Sequence, residues 1–158
     1  MGDAYEKAAA KFAAMAAEEE ARKAVELDRY LILVAKRALE YANLRHMFDK
    51  HSCSLNALKD RVLHDKKRRA TRFTNDFWNI QDIIESTLLK CRTSIKQFMD
   101  DNTNDVIEYD CGTVIGDGYV YDRNAEGRVS YISCSIIRIV LTKRENGQIA
   151  VKNAYPVN

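Results

Sequence analysis

What this sequence has little of narrows it first. Its four cysteines, Cys53, Cys91, Cys111 and Cys134, stand singly with no CxxC pair, which argues against a zinc ribbon. The expectation is four reduced, mostly buried thiols in a reducing compartment. The longest apolar run, Tyr30 to Ala35, is far short of the roughly 20 residues that cross a bilayer, so no stable membrane insertion is expected. No stretch has the pattern of a signal peptide, and the opening MGDAYE carries Glu6 where a myristoylation site has Ser or Thr. Whatever carries the chain across a membrane is therefore expected outside this sequence. The loops of several enzyme classes are missing too. GDG at residues 116–118 sits in a strand pattern without the lysine and helix start of a P-loop, and neither GxSxG nor HExxH occurs. Histidines number three: His46, His51 and His64. His46, His51 and Cys53 are close in sequence, but no fourth partner stands at a usual ligand spacing. No metal and no cofactor are expected.

What is present fits one globular domain. A chain of 158 residues can bury a real core without disulfides or metal, and 46% hydrophobic with 30% charged residues is an ordinary balance. The net charge of +2 hides a segregation. Residues 43–73 hold nine Lys/Arg against three Asp/Glu, whereas residues 74–110 hold three against eight. A basic segment of this kind suits an anionic partner such as RNA, because phosphate contacts supply most non-specific affinity. A solvated helix end or loop would carry the same charges.

Composition changes sharply near Ala42. Residues 1–42 hold 13 of the 18 alanines and read as helix. Leu27, Leu31, Val34 and Ala38, with Tyr30 and Leu33, recur at helical spacing and predict a broad apolar face near its C-terminal end. The earlier portion offers little to bury beyond Phe12 and Met15, and reads as a connector. Leu55, Leu58 and Val62 mark a short helix ending near Arg61. Thr74 or Asn75 is positioned to cap a longer helix striped by Ile80, Ile83, Ile84, Leu88, Cys91, Ile95 and Phe98, which DDNTND ends. From Val106 the pattern becomes that of strands: GTVIGDGYVYD, a turn at RNAEG, one long strand over RVSYISCSIIRIVLTK, and a hairpin at Asn146-Gly147 returning through QIAVKNAYPVN. Helices first and antiparallel strands afterwards predict an α+β domain.

Metal-free RNA cleavage needs a base for the ribose 2′-hydroxyl proton, a cation for the charge developing on phosphorus, and an acid for the leaving oxygen. The segment with His46, His51 and Arg61 offers the first two; the third must come from elsewhere. Three histidines in 158 residues are ordinary, and on spacing alone each reads more readily as a polar surface or capped residue than as a catalyst. His64, in VLHDKK, is expected to be solvated.

Five pieces, KHSCSLNALKDRV, RATRFTN, GTVIGDGY, RIVLTK and NAYPV, occur in an order that resembles the bacterial RNase A-like toxin domain at the C-termini of contact-dependent growth inhibition (CdiA) proteins. They span roughly residues 43–157. The resemblance implies helices packed on antiparallel sheets without the disulfides of pancreatic ribonuclease. It makes His51 the general acid/base and Arg61 the phosphate-holding cation, with Asn153 and Tyr155 orienting the phosphate or assisting the leaving group. His46 enters as an auxiliary residue, by its five-residue offset from His51. Asn153 stands where the family has threonine, and Asn43, Leu44 and Arg45 stand where it has a Gly-Gly-His opening.

The implied activity is a metal-independent endoribonuclease that leaves a 2′,3′-cyclic phosphate. Lys66, Lys67, Arg68, Arg69 and Arg72 would form the track for the RNA backbone. The implied organisation is a helical connector or carrier segment over 1–42 and the toxin domain over 43–158. A cognate immunity protein is the implied partner, bound to a monomer, and the toxin acts in the cytoplasm of a target cell after delivery as part of a larger, secreted or surface-exposed bacterial protein. Two other readings stay open: a barnase- or EndoU-type ribonuclease using His46 and His51 together, and a catalytically silent RNA-binding or protein-interaction module.

Overall fold

No glycine or proline interrupts the chain between Gly2 and Glu40, and in the computed structural model, which describes residues 2–40, 42, 44–50 and 53–158, helix α1 runs unbroken over Gly2–Glu40. Four helices and six strands follow: α2 (Leu44–Lys50), α3 (Leu55–Leu63), β1 (Arg69–Phe73), α4 (Phe77–Lys90), α5 (Arg92–Asp101), β2 (Val106–Asp110), β3 (Gly116–Tyr121), β4 (Val129–Cys134), β5 (Ile136–Lys143) and β6 (Ile149–Val157). The strands form two antiparallel sheets, ordered β1-β3-β4 and β2-β5-β6. The fold is α+β. No described helix is long and apolar enough to cross a membrane.

The end of α1 is part of the main core, where Ala35, Ala38 and Leu39 meet Ile80, Ile84 and Leu88 of α4, Ile95 and Phe98 of α5, and the inner face of the β2-β5-β6 sheet. The apolar face is narrower than expected: Leu31 and Ala38 are buried and Val34 packs against the core as expected, joined by Ala35 and Leu39. Ala35 and Ala38 are 1% and 0% exposed, letting the helix approach closely, while Leu27, Tyr30 and Leu33 stay in solvent. Residues 2–27 are exposed throughout.

Three local expectations are corrected. Asp76, rather than Thr74 or Asn75, caps α4, its Oδ1 accepting from the Asn79 N–H at 2.9 Å. The long helix is two helices, broken at Cys91 (φ −103°, ψ 24°) and closed by Asn102 in the left-handed region. The single strand over residues 128–143 is two strands in different sheets. The Cys134 and Ser135 carbonyls accept from Ile115 and Cys111, so β4 stays with β3 while β5 passes to β2 as the central strand of its own sheet. The hairpin forms as expected, with Gly147 at φ +81°. β1 was not legible as a strand.

The two sheets meet along β1 and β6, where the buried Thr71 Oγ1 donates to the Pro156 carbonyl at 2.7 Å. GDG serves this junction. A Cβ on Gly116 would lie 2.3 Å from the Arg72 carbonyl oxygen and 2.4 Å from Pro156 Cγ, and one on Gly118 would lie 2.1 Å from the Ala70 carbonyl oxygen. Only glycine permits that approach of strands.

Candidate active-site cleft

Above the β1–β6 junction lies a cleft of about 430 Å³. Arg61 reaches it from the last turn of α3, a helix held by its Ser54 cap and by the buried Leu58 and Val62, which pack on Ala70 and Val129. The Lys67 N–H donates to the Arg61 carbonyl at 3.3 Å, folding the basic loop over the helix end so that Lys67 and Arg68 form one wall. Arg69, Ala70 and Thr71 of β1 supply the floor on one side; Asn153 and Tyr155 of β6 supply it on the other, with Arg138 of β5 behind. Among the described lining residues there are five cations and no carboxylate.

Register explains the side of the sheet on which Asn153 and Tyr155 stand. Leu141 pairs with Val151, but Val140 pairs with Asn153, so Lys152 is an extra residue in β6, a bulge that turns the following side chains to the other face. Ala154 then enters the core at 0% exposure, and its two neighbours face the cleft. The Asn153 Oδ1 accepts from the Ala154 N–H at 3.0 Å, leaving the amide nitrogen as the end that can donate.

A row crosses this sheet: Glu108 opposite Arg138, and Arg138 opposite Tyr155. Arg138 Nε donates to Glu108 Oε1 at 2.6 Å, and Nη1 donates to the Tyr155 hydroxyl at 3.3 Å, with the guanidinium carbon 5.8 Å from the Tyr155 ring centroid. The hydrogen bonds to Tyr155 and to Glu108 push the Arg138 pKa further above its ordinary value. Arg138 and Thr71 were not singled out from the sequence. Arg138 lies in the quoted RIVLTK piece, and cross-strand register alone assigns it to the site.

Of the expected site residues, Arg61, Asn153 and Tyr155 share the cleft with Lys67, Arg68 and Arg69 of the basic track. Arg69 also donates to Asn158 Oδ1 at 3.0 Å. Lys66 does not line this cleft but an adjoining depression. The expectation for Arg72 is corrected. Its side chain turns to the other face of β1, where Nε donates to Asp117 Oδ1 at 2.7 Å and Nη1 to the Cys53 carbonyl at 3.2 Å. Tyr131 also donates to Asp117, at 2.6 Å. Burial alone would push the Asp117 carboxyl up, but the hydrogen bonds from Arg72 and Tyr131, with the Arg72 charge, outweigh it and hold the carboxyl below its usual range. Arg72 thus anchors the chain ahead of α3 instead of meeting solvent.

His46 is exposed on α2 and is not among the cleft residues. His64 is exposed at the end of α3, with Nε2 3.9 Å from Asp60 Oδ1. His51 lies outside the described residues. The cysteines are less buried than expected: Cys134 is buried and the other three are half-buried. Burial pushes the Cys134 thiol up to about 11 and also raises Cys91 and Cys111, so none of these three is primed as a thiolate nucleophile.

No protein-family model matches this chain, and no curated protein matches it. Among solved structures, a chain of the CdiA-CT/CdiI complex from Y. kristensenii 33638 is similar, at 19% sequence identity and a TM-score of 0.56, with 72% of this chain and 99% of that chain covered. At that identity the likeness is one of fold: this chain shares its α+β arrangement with that chain.

Proposed function

We propose that this protein is a metal-independent endoribonuclease toxin of contact-dependent growth inhibition, cleaving RNA by attack of the 2′-hydroxyl and leaving a 2′,3′-cyclic phosphate. The supporting observation is the convergence of Arg61 with Asn153 and Tyr155, from opposite ends of the domain, in one cleft lined by cations. That is the arrangement a dianionic phosphorane requires. Arg61 stabilises the charge on phosphorus, the Asn153 amide donates to a phosphate oxygen, and Tyr155 donates to phosphate or the leaving oxygen. A phenol hydroxyl serves better as a hydrogen-bond donor than as a base near neutrality, so the proton-transfer role falls to His51, as the family resemblance implies. The toxin domain is read as residues 43–158 and 1–42 as the connector or carrier segment, with the end of that segment packed into the domain's core through Ala35, Ala38 and Leu39. A basic cleft calls for an immunity protein that covers it with acidic residues. Delivery within a larger bacterial protein, into the cytoplasm of a target cell, completes the reading.

A catalytically silent RNA-binding module is the second reading. One observation favours it: Asn153, in the position of the family's threonine, has no hydroxyl and spends its oxygen on its own backbone.

The test is purified protein on total RNA with EDTA present, comparing wild type, His51→Ala and Arg61→Ala, with analysis of the product ends. Cleavage that survives EDTA, leaves cyclic phosphates and falls by about 10²- to 10⁴-fold in His51→Ala is expected. RNA left intact by the wild type overturns the ribonuclease reading in favour of the silent module.

A further inference from the structure

Beside the cleft lies a second depression of about 410 Å³, lined by Leu63, Lys66, Lys67, Arg68, Tyr121 and Arg128 among others. Lys67 and Arg68 belong to both, so the two are continuous across the basic loop. No carboxylate is among the described lining residues of either. Like the first, the second sets an aromatic ring in a cationic frame. Tyr121 is 48% exposed. Its N–H donates to the Arg68 carbonyl at 2.8 Å, and the next residue's N–H, that of Asp122, donates to the Arg128 carbonyl at 2.9 Å. Two backbone hydrogen bonds therefore tie the strand end that carries the ring to two arginine-bearing segments. Lys66 and Arg128, at φ 55° and 62°, are both non-glycine residues in the left-handed region, a backbone conformation that persists only where its surroundings hold it.

We infer that this depression is a binding site for a nucleotide of single-stranded RNA flanking the cleavage point, with Tyr121 as the stacking platform for its base and Lys66 and Arg128 as contacts to its phosphates. The inference rests on the proposed RNA substrate and deepens it. A base can lie on Tyr121 only when unpaired, whereas an ordinary duplex presents its phosphates and hides its base faces. The cleft then takes the scissile phosphate, Lys67 and Arg68 carry the backbone across, and the neighbouring base rests on Tyr121. Substrate selection follows: loops and unpaired ends bind better than helical stems.

The experiment uses the full chain and a fluorescently labelled, 2′-O-methylated oligonucleotide, which lacks the attacking hydroxyl, as a single strand and as a blunt duplex of the same sequence. Anisotropy titrations should show Tyr121→Ala weakening single-strand binding by roughly 5- to 100-fold, Tyr121→Phe retaining it, and duplex binding little changed by either. Arg128→Ala should lower the salt dependence on single strands by about 0.7 in log–log slope. Unchanged single-strand binding by Tyr121→Ala overturns the inference and leaves the depression to a protein partner. Equal losses on both strand forms overturn the stacking role. Cleavage is not needed for any of these readouts. A wild type that binds but never cuts removes the ribonuclease reading and leaves this site standing, and one that cuts normally while Tyr121→Ala binds normally does the reverse.

Discussion

Tyr155 reaches the cleft with one side of its hydroxyl already engaged. Arg138 donates to the phenol oxygen, so the phenol proton must be directed elsewhere, and the charge on Arg138 makes that O–H a better donor. Arg138 is thus a positioning residue for Tyr155. Arg138→Ala is expected to lower kcat by about 10- to 100-fold, the range of a charge-assisted hydrogen bond. In a Tyr155→Phe background the same substitution should add almost nothing, because the group it acts through is gone. Additive losses in that double-mutant cycle would show that Arg138 acts on the phosphate by itself. Asp117 governs stability instead. Its folded-state carboxyl is held below the ordinary value, so its contribution is full above the unfolded-state pKa of about 3.9 and is lost as pH falls through the lower folded value. Asp117→Asn should cost about 1–3 kcal/mol near neutral pH and flatten the acid limb of stability. Urea midpoints measured between neutrality and strong acid check both.

Among elements, β6 carries the most weight and was the hardest to read. The family resemblance placed Asn153 and Tyr155 on the last strand, but a plain count from the Asn146-Gly147 turn would set them opposite Ile139 and Ile137, both 0% exposed on the core face. The bulge at Lys152 corrects the phase, and no glycine marks it. β1 was invisible for a related reason. RATRF follows a basic run that reads as solvated loop, and its pairing with β3 depends on Gly116 and Gly118, 40 or more positions away. Signals confined to neighbouring residues, such as the apolar positions of α3, the hairpin turn and the start of β2, were legible; the Ser54 cap, sheet partners and the Arg72–Asp117 pair were not. α1 divides more sharply than its composition did. Removing residues 2–26, all exposed, should leave the melting temperature unchanged, whereas Ala38→Leu should cost about 1–3 kcal/mol through overpacking. Thermal denaturation of the two variants decides it. A large drop on truncation would show that the exposed part of α1 has a stabilising role. Deleting residues 152–158, by contrast, cannot isolate the site, because Ala154 and Val157 are core residues; point substitutions at Asn153 and Tyr155 are the cleaner probe.

For the molecule as a whole, charge is the clearest link between sequence and proposed function. The basic segment seen in the composition folds into a cleft wall, and five cations line the space between the sheets. With four or five phosphate contacts to single-stranded RNA, raising salt from about 50 to 200 mM should weaken binding roughly 50- to 130-fold. Titration of a non-cleavable strand measures this directly, and a flat salt response would remove the electrostatic track.

The meeting of β1 with β6 also fixes when the cleft can exist. Arg61 and the basic loop emerge early during synthesis, but the opposite half of the floor belongs to residues 153–155, and the strand carrying them closes the junction through Thr71 and Pro156. While that strand is still within the ribosome, or threaded through a narrow export channel, the other parts can fold around a groove with one bank. The activity proposed above would therefore wait until β6 docks on β1. Docking of β6, more than the folding of the helices, is the step that completes the cleft.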